Sequence, residues 1–393
     1  MHRHRGEPTA RPRYDVAQVL KQFLDKYKEK HRIGAHPQNV LNALFRCQTK
    51  ESGWHQRKCD ACGYTDYRYN GCRNRHCPKC QWGRQQKWIE KLKGLLLRVG
   101  YYQVVFTIPE ELNGLMRSNM AKMYDLLFEA SSETLEVFSK DERYLGAEMG
   151  IVGVLHTWGQ TLNYHVHAHY LVTSGGLRKG GTWKWAKGGG NYLFPVKAMS
   201  RLFRGKYMEK LEKAYKRGEL EFYGESEKYR DKVEFHKMVN KLWGQLFYIY
   251  AEPPLGRVER VVEYLGQYVY KVAISPWRIE EVEDGKVRIR YKDNRDGGKE
   301  KRMWLKGEEF VGRYIAHILP KGYKKVRYYG LFSNRARKGK LEEARKQIGI
   351  REEEEEGGYE EKCPECGKGR MRVIEVEYRR SEIPNVAIWM DSS

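Results

Sequence analysis

The sequence predicts an α+β fold, an antiparallel sheet with helices packed on it, preceded by a small zinc-binding domain. Three observations lead there. Residues 164–173 read Tyr-His-Val-His-Ala-His-Tyr-Leu-Val-Thr, with His165, His167 and His169 at strict two-residue spacing in an apolar run. A β-strand turns alternate side chains to one face, so the three imidazoles project together while Val166 and Ala168 face the other way. The segments around this run follow in the order strand, long helix, strand, strand. The cysteines, finally, fall into CxxC pairs rather than a disulfide framework.

Taken in order, residues 1–13 form a basic, Pro-containing arm with too few apolar side chains to fold alone. Val16, Val19, Leu20, Phe23, Leu24 and Tyr27 recur at helical spacing, and a second helix covers 38–45. The cysteine-rich module extends to Gln81, and a basic helix over 83–97 carries Arg84 and Lys87, which suit DNA phosphates or a solvated face equally. Residues 101–108 alternate as a strand and stop at Pro109. A long helix over 110–139 leads to a strand at 151–155 and then the histidine strand, which closes at Ser174-Gly175-Gly176. Beyond a Gly-rich loop to 190 come helices near 197–217 and 230–243, a strand at 245–250, and a helix behind Pro253-Pro254. Strands at 287–291 and 325–331 flank a helix at 307–318. Arg351-Glu-Glu-Glu-Glu-Glu-Gly-Gly358 then reads as a linker. The expected divisions are an arm (1–13), a zinc-binding DNA-recognition domain (14–96), the main α+β domain (97–345), and a charged linker with a CxxC tail (346–393).

Cys59-x2-Cys62 and Cys77-x2-Cys80 stand fourteen residues apart, the spacing of one structural four-cysteine Zn2+ site. The remaining Cys47, His55, Cys72 and His76 alternate with these pairs, so a cross-braced second zinc is an expectation, with small core cysteines as the alternative. Cys363-Pro-Glu-Cys366 is half a zinc knuckle with no Cys or His after it, and is read as a tight turn.

Imidazoles aligned on one strand make a divalent-metal site, and three in register favour that over packing. The segment 257–271 has helical apolar spacing at Val258, Val261, Val262 and Leu265, which sets Tyr264 and Tyr268 one turn apart on one face. A phenol becomes a competent nucleophile beside a cation or metal; taken alone, such a pair is more often core or interface.

Several segments carry a family resemblance. They are Cys59-Asp-Ala-Cys62-Gly, Asn70-Gly-Cys-Arg-Asn-Arg-His-Cys-Pro-Lys-Cys-Gln81 and Trp158-Gly-Gln-Thr-Leu-Asn-Tyr-His-Val-His-Ala-His169. Tyr264-Leu-Gly-Gln-Tyr268, Val272-Ala-Ile-Ser275 and Tyr291-Lys-Asp-Asn-Arg-Asp-Gly297 follow. His317-Ile-Leu-Pro-Lys-Gly-Tyr323 and Arg327-Tyr-Tyr-Gly-Leu331 complete the run. In this order the chain resembles the two-tyrosine rolling-circle transposases of the insertion sequence 91 family, which belong to the HUH endonucleases. The resemblance implies an HUH-endonuclease-like sheet, with the histidine pair on a central strand. It aligns that pair with His167-Ala168-His169, although His165-Val166-His167 meets the same formula. It also implies Mg2+ or Mn2+ held by His167 and His169, with His165 favoured as third ligand over Gln160 or Gln267. Tyr264 and Tyr268 would be the nucleophiles, forming 5′-phosphotyrosine links; Lys271, three residues beyond Tyr268, could neutralise phosphate charge, stabilise a phenolate or simply be an exposed helix-end residue. A plasmid or phage HUH replication initiator would share the chemistry, and a non-catalytic zinc-dependent DNA-binding protein remains a different class of answer.

Composition points to the same partner. Lys and Arg number 74 against 51 Asp and Glu, a formal charge of +23 that neutralises phosphate and steers DNA. Aromatics beside bases, as in Trp183-Lys-Trp185, suit stacked single-stranded bases. No apolar run approaches twenty residues and no Walker-type GxxxxGK[ST] occurs, so neither membrane insertion nor ATP hydrolysis is expected. The expected setting is the prokaryotic cytoplasm beside the nucleoid, with homo-oligomerisation left open.

Overall fold

The computed structural model describes residues 12–80, 82–186, 193–255, 261, 266, 269, 272–293, 296–349 and 361–378. Two amphipathic helices come first, α1 (Val16–Lys28) and α2 (Ala35–Arg46). Asp15 caps α1, its carboxylate accepting from the Ala17 backbone N–H at 3.0 Å. β1 (Trp54–Cys59) and β2 (Thr65–Tyr69) form a hairpin, followed by the basic α3 (Trp82–Leu95) and β3 (Tyr101–Thr107). The stretch expected as one helix over 110–139 divides into α4 (Asn113–Ser118) and α5 (Met120–Lys140). The break is at Asn119, held at φ −135°, ψ 40°. Its side-chain amide donates to the carbonyls of Leu115 and Glu221, which fixes a passing segment across the helix joint.

β4 (Glu148–Trp158) and β5 (Tyr164–Leu177) make the central hairpin, with β6 (Trp183–Trp185) added beside the end of β5. The glycines expected to end the histidine strand instead extend it. A Cβ at Gly175 would lie 2.7 Å from the Lys184 carbonyl, and one at Gly176 2.7 Å from that of Glu148, so glycine lets three strands close up here. α6 (Val196–Lys216), α7 (Lys232–Trp243) and β7 (Ile249–Leu255) follow. Pro253-Pro254 lies within β7, which is tolerated because β7 is an edge strand. β8 (Ile279–Glu283), β9 (Lys286–Asp293) and β10 (Lys299–Lys306) precede α8 (Gly307–Ala316), β11 (Val326–Gly330), α9 (Lys340–Ile348) and β12 (Met371–Glu377).

The main sheet runs β11-β4-β5-β3-β7, antiparallel at every pairing. The histidine strand β5 is therefore central. One face of the sheet packs on α5 and α6 through Tyr124, Phe128, Phe203 and Tyr207. The other face, through Val152, Val154 and Leu171, packs with Leu92 and Leu96 at the end of α3, Leu341 of α9, and Val261 and Val269. Separately, α1 and α2 pack on the β8–β9–β10 sheet and α8, where Gly307 admits the ring of Phe23; a Cβ there would come within 2.3 Å of Phe23 Cγ. The expected linker over 351–358 lies outside the described residues, and beyond it β12 returns to pair with β1 in a sheet ordered β12-β1-β2. Among the described residues, no helix is long and apolar enough to cross a membrane.

Candidate active site and metal centres

Strand pairing assembles the histidines. His167 and His169 point to the α3 face of β5, and on β4 His156 lies directly opposite His167. The ring centres of His156, His167 and His169 are 4.7–5.5 Å apart, and their ligand nitrogens all fall within 4.8 Å of one another. His156 and His169 are buried, whereas His167 is half-buried and can meet a substrate. The Nδ1–H of His167 donates to the His165 carbonyl at 2.9 Å, a tautomer in which Nε2 is the ligand atom. Trp158 stacks on His156, with ring centres 4.9 Å apart at 17°, and the Lys325 ammonium lies 6.0 Å from the Trp158 ring centre.

The third member of this group is His156, in place of the expected His165. His165 stays close to His167, with ring centres 5.0 Å apart, but it is exposed and its nitrogens fall outside the three-histidine group. The backbone carbonyl of Gln160 accepts from the Arg278 guanidinium. Sequence reasoning missed His156 because a lone His in an apolar strand reads as a core residue. Its only signal is the hairpin register, which the chain does not display locally. Tyr264, Gln267, Tyr268 and Lys271 lie outside the described residues, as does the side chain of Arg84. Lys87 is exposed on α3.

The cysteines form two tetrads, and neither is the expected one. Cys47, Cys72, Cys77 and Cys80 gather at the base of the β1–β2 hairpin. Sγ separations there are 3.4 Å for Cys47–Cys77 and 3.7 Å for Cys72–Cys80. Cys59 and Cys62 sit at the hairpin tip and meet Cys363 and Cys366 instead. A strand advances about 3.4 Å per residue, so the length of β1 puts roughly 17 Å between base and tip, too far for Cys59 and Cys62 to share an ion with Cys77 and Cys80. The expected cross-brace also fails in its histidines. Cys47 and Cys72 do come together, but the ring of His55 hydrogen-bonds Asn70 Oδ1 at 2.8 Å. His76 stays outside the tetrads and lines a small pocket with Trp158, Tyr314 and His317. Four thiolates converging in this way fit structural zinc.

A family model described as "Putative transposase" matches residues 150–340, and one described as "Transposase zinc-binding domain" matches residues 19–108. The "Putative transposase y4qJ" of Sinorhizobium fredii is 37% identical over 384 residues, covering 93% of this chain and 96% of that protein. The "Transposase for insertion sequence element IS801" of Pseudomonas savastanoi pv. phaseolicola is 28% identical over 299 residues, covering 75% of this chain and 70% of that protein. No solved structure matches the chain.

Proposed function

Because this chain belongs to the insertion sequence 91 family of transposases, with an N-terminal zinc-binding domain, we propose that it cuts and rejoins single-stranded transposon ends by tyrosine transesterification. The reading rests on one juxtaposition. The three-histidine group stands on the sheet face that also buries Val261 and Val269, the residues bracketing Tyr264 and Tyr268 in sequence.

His156, His167 and His169 would hold a divalent ion, and their all-imidazole donor set favours a first-row transition ion such as Mn2+ over Mg2+. When bound, that ion supplies Lewis-acid polarisation of a non-bridging phosphate oxygen. The protein does the rest. The oxygen of Tyr264 or Tyr268 attacks phosphorus and the P–O3′ bond breaks. The 5′-phosphate stays on the tyrosine, and the 3′ oxygen leaves with a proton as a free hydroxyl. The other tyrosine allows the second cleavage that excision and joining require. The carbonyl of His165 fixes the tautomer of His167, and Trp158 holds the His156 ring flat. Lys87 on α3, with Arg84 and Lys271, neutralises phosphates along the strand.

A labelled single strand carrying an element end, incubated with Mn2+ and run on a denaturing gel, tests this reading. A covalent protein–DNA adduct is expected from the parent, and none from the Tyr264→Phe/Tyr268→Phe double variant. His156→Ala, His167→Ala and His169→Ala should each cut at least about 100-fold more slowly, since Lewis-acid stabilisation amounts to several kcal/mol, while retaining single-strand binding. Retardation without any adduct would mark a DNA-binding protein rather than a nuclease. An adduct surviving in the double variant would move the nucleophile elsewhere.

A further inference from the structure

We propose that Cys59, Cys62, Cys363 and Cys366 bind a second zinc ion, one that joins β12 to the β1–β2 hairpin. Half of its ligands come from the segment 361–378, far outside the 19–108 region that resembles a zinc-binding domain.

The geometry is that of a closed thiolate site. Cys59 and Cys366 Sγ are 3.8 Å apart, and Cys62 and Cys363 Sγ 3.7 Å. Zn–S bonds of about 2.3 Å at the corners of a tetrahedron give S···S edges of about 3.8 Å, whereas a disulfide needs about 2.05 Å. Each half is the same local device. Both read C-x2-C-G, and Gly63 and Gly367 take left-handed φ values of +73° and +64°. The chain folds back alike in both, Gly63 N–H donating to the Cys59 carbonyl and Gly367 N–H to the Cys363 carbonyl. Backbone amides are aimed at sulfur on both sides. Ala61 and Cys62 N–H point at Cys59 Sγ, each at 3.4 Å, and Gly369 N–H points at Cys366 Sγ at 3.3 Å. Such donors stabilise thiolates and set their direction. Gly369 presses on the first half so closely that a Cβ would sit 2.3 Å from Cys59 Sγ.

The surrounding contacts register the two segments on each other. β12 pairs with β1 from Trp54↔Glu377 to Cys59↔Met371. The Arg57 guanidinium, 6% exposed, donates to Asp66 on β2 and at 2.7 Å to Glu361. The whole is a zinc ribbon assembled from two segments some three hundred residues apart in the chain. It does not depend on the cleavage chemistry proposed above.

Metal content of the purified full-length protein measures this directly. Two zinc per chain are expected in the parent and one in the Cys363→Ser/Cys366→Ser variant, with cooperative thermal unfolding retained. Reconstituted with cobalt, that variant should show about half the parent's thiolate-to-cobalt absorption, and Cys366→His should keep two metals. Chelation should expose 361–378 to protease. Two zinc per chain persisting in the double serine variant would overturn the assignment. So would a parent holding one zinc that is lost only with Cys47→Ser/Cys72→Ser.

Discussion

His317, the first residue of one of the family-like segments, has a bracing role. Its Nε2–H donates to the Leu162 carbonyl at 3.1 Å, and the Thr157 hydroxyl faces Nδ1 at 3.3 Å, a pairing that suits the neutral ring. The ring lies parallel to Tyr164, centres 6.2 Å apart at 12°, and so ties down the β4–β5 turn beside Trp158. Burial pulls its pKa from 6.5 to about 4, and Arg117 and Arg313, which face it from α4 and α8, push the same way. The unfolded chain therefore takes up a proton below pH 6.5 while the native ring resists until about pH 4. Stability from this group is complete above the unfolded value and falls as pH drops through that window. By pH 5 the loss is about 2 kcal/mol. Urea midpoints at pH 7 and pH 5 should show that loss in the parent and a smaller one in His317→Gln, even though the variant is weaker at pH 7. Equal losses in the two proteins would assign the pH dependence to another group.

Among the elements, the β4–β5 hairpin sets the accuracy of the histidine group, and at Gly153 it is closed against two aromatic rings. A Cβ there would lie 2.7 Å from Tyr170 Cε1 and 3.2 Å from Phe128 Cε1. Tyr170 is held by Ser131 through a 2.5 Å hydrogen bond, so the ring has nowhere to go. Gly153→Ala should cost about 1–3 kcal/mol by overpacking, read as a lower urea midpoint at unchanged m-value, with cleavage falling alongside. An unchanged midpoint would mean the hairpin is loose. The same hairpin separates what was legible in the sequence from what was not. His167 and His169 share a face because strand alternation is local. His156 joins them through pairing across a hairpin, and register leaves no mark in the sequence of either strand. The cysteines failed for the same reason: proximity in sequence suggested Cys59/Cys62 with Cys77/Cys80, and the length of β1 forbids it. β8 and β10 went unread because their exposed, charge-rich alternation resembles a loop, although Ile279, Val287, Ile289 and Leu305 bury one face of that sheet. The Asn119 break depends on a contact with Glu221, about a hundred residues away.

For the molecule as a whole, a formal charge of +23 makes DNA affinity an ionic-strength measurement. If six to ten phosphates are neutralised, counterion release lowers single-strand affinity by roughly 10³-fold between 50 and 200 mM salt. His156→Ala should keep that slope, because its effect is on the reaction and not on the spread of basic contacts. A flat salt profile in fluorescence anisotropy would contradict phosphate-dominated binding. The pairing of β12 with β1 has a further consequence, in time rather than space. Cys62 and Cys363 are 301 residues apart in the chain. At a synthesis rate of roughly 5–20 residues per second, the first hairpin leaves the ribosome about 15–60 s before the strand that completes it. Through that interval the edge of β1 and the thiols at the hairpin tip stay open, so a hairpin made early is completed late. Any message cut short before β12 yields a protein defective in the β1–β2 hairpin, and pulse-labelled nascent chains should gain protease resistance in residues 54–69 only once β12 has emerged.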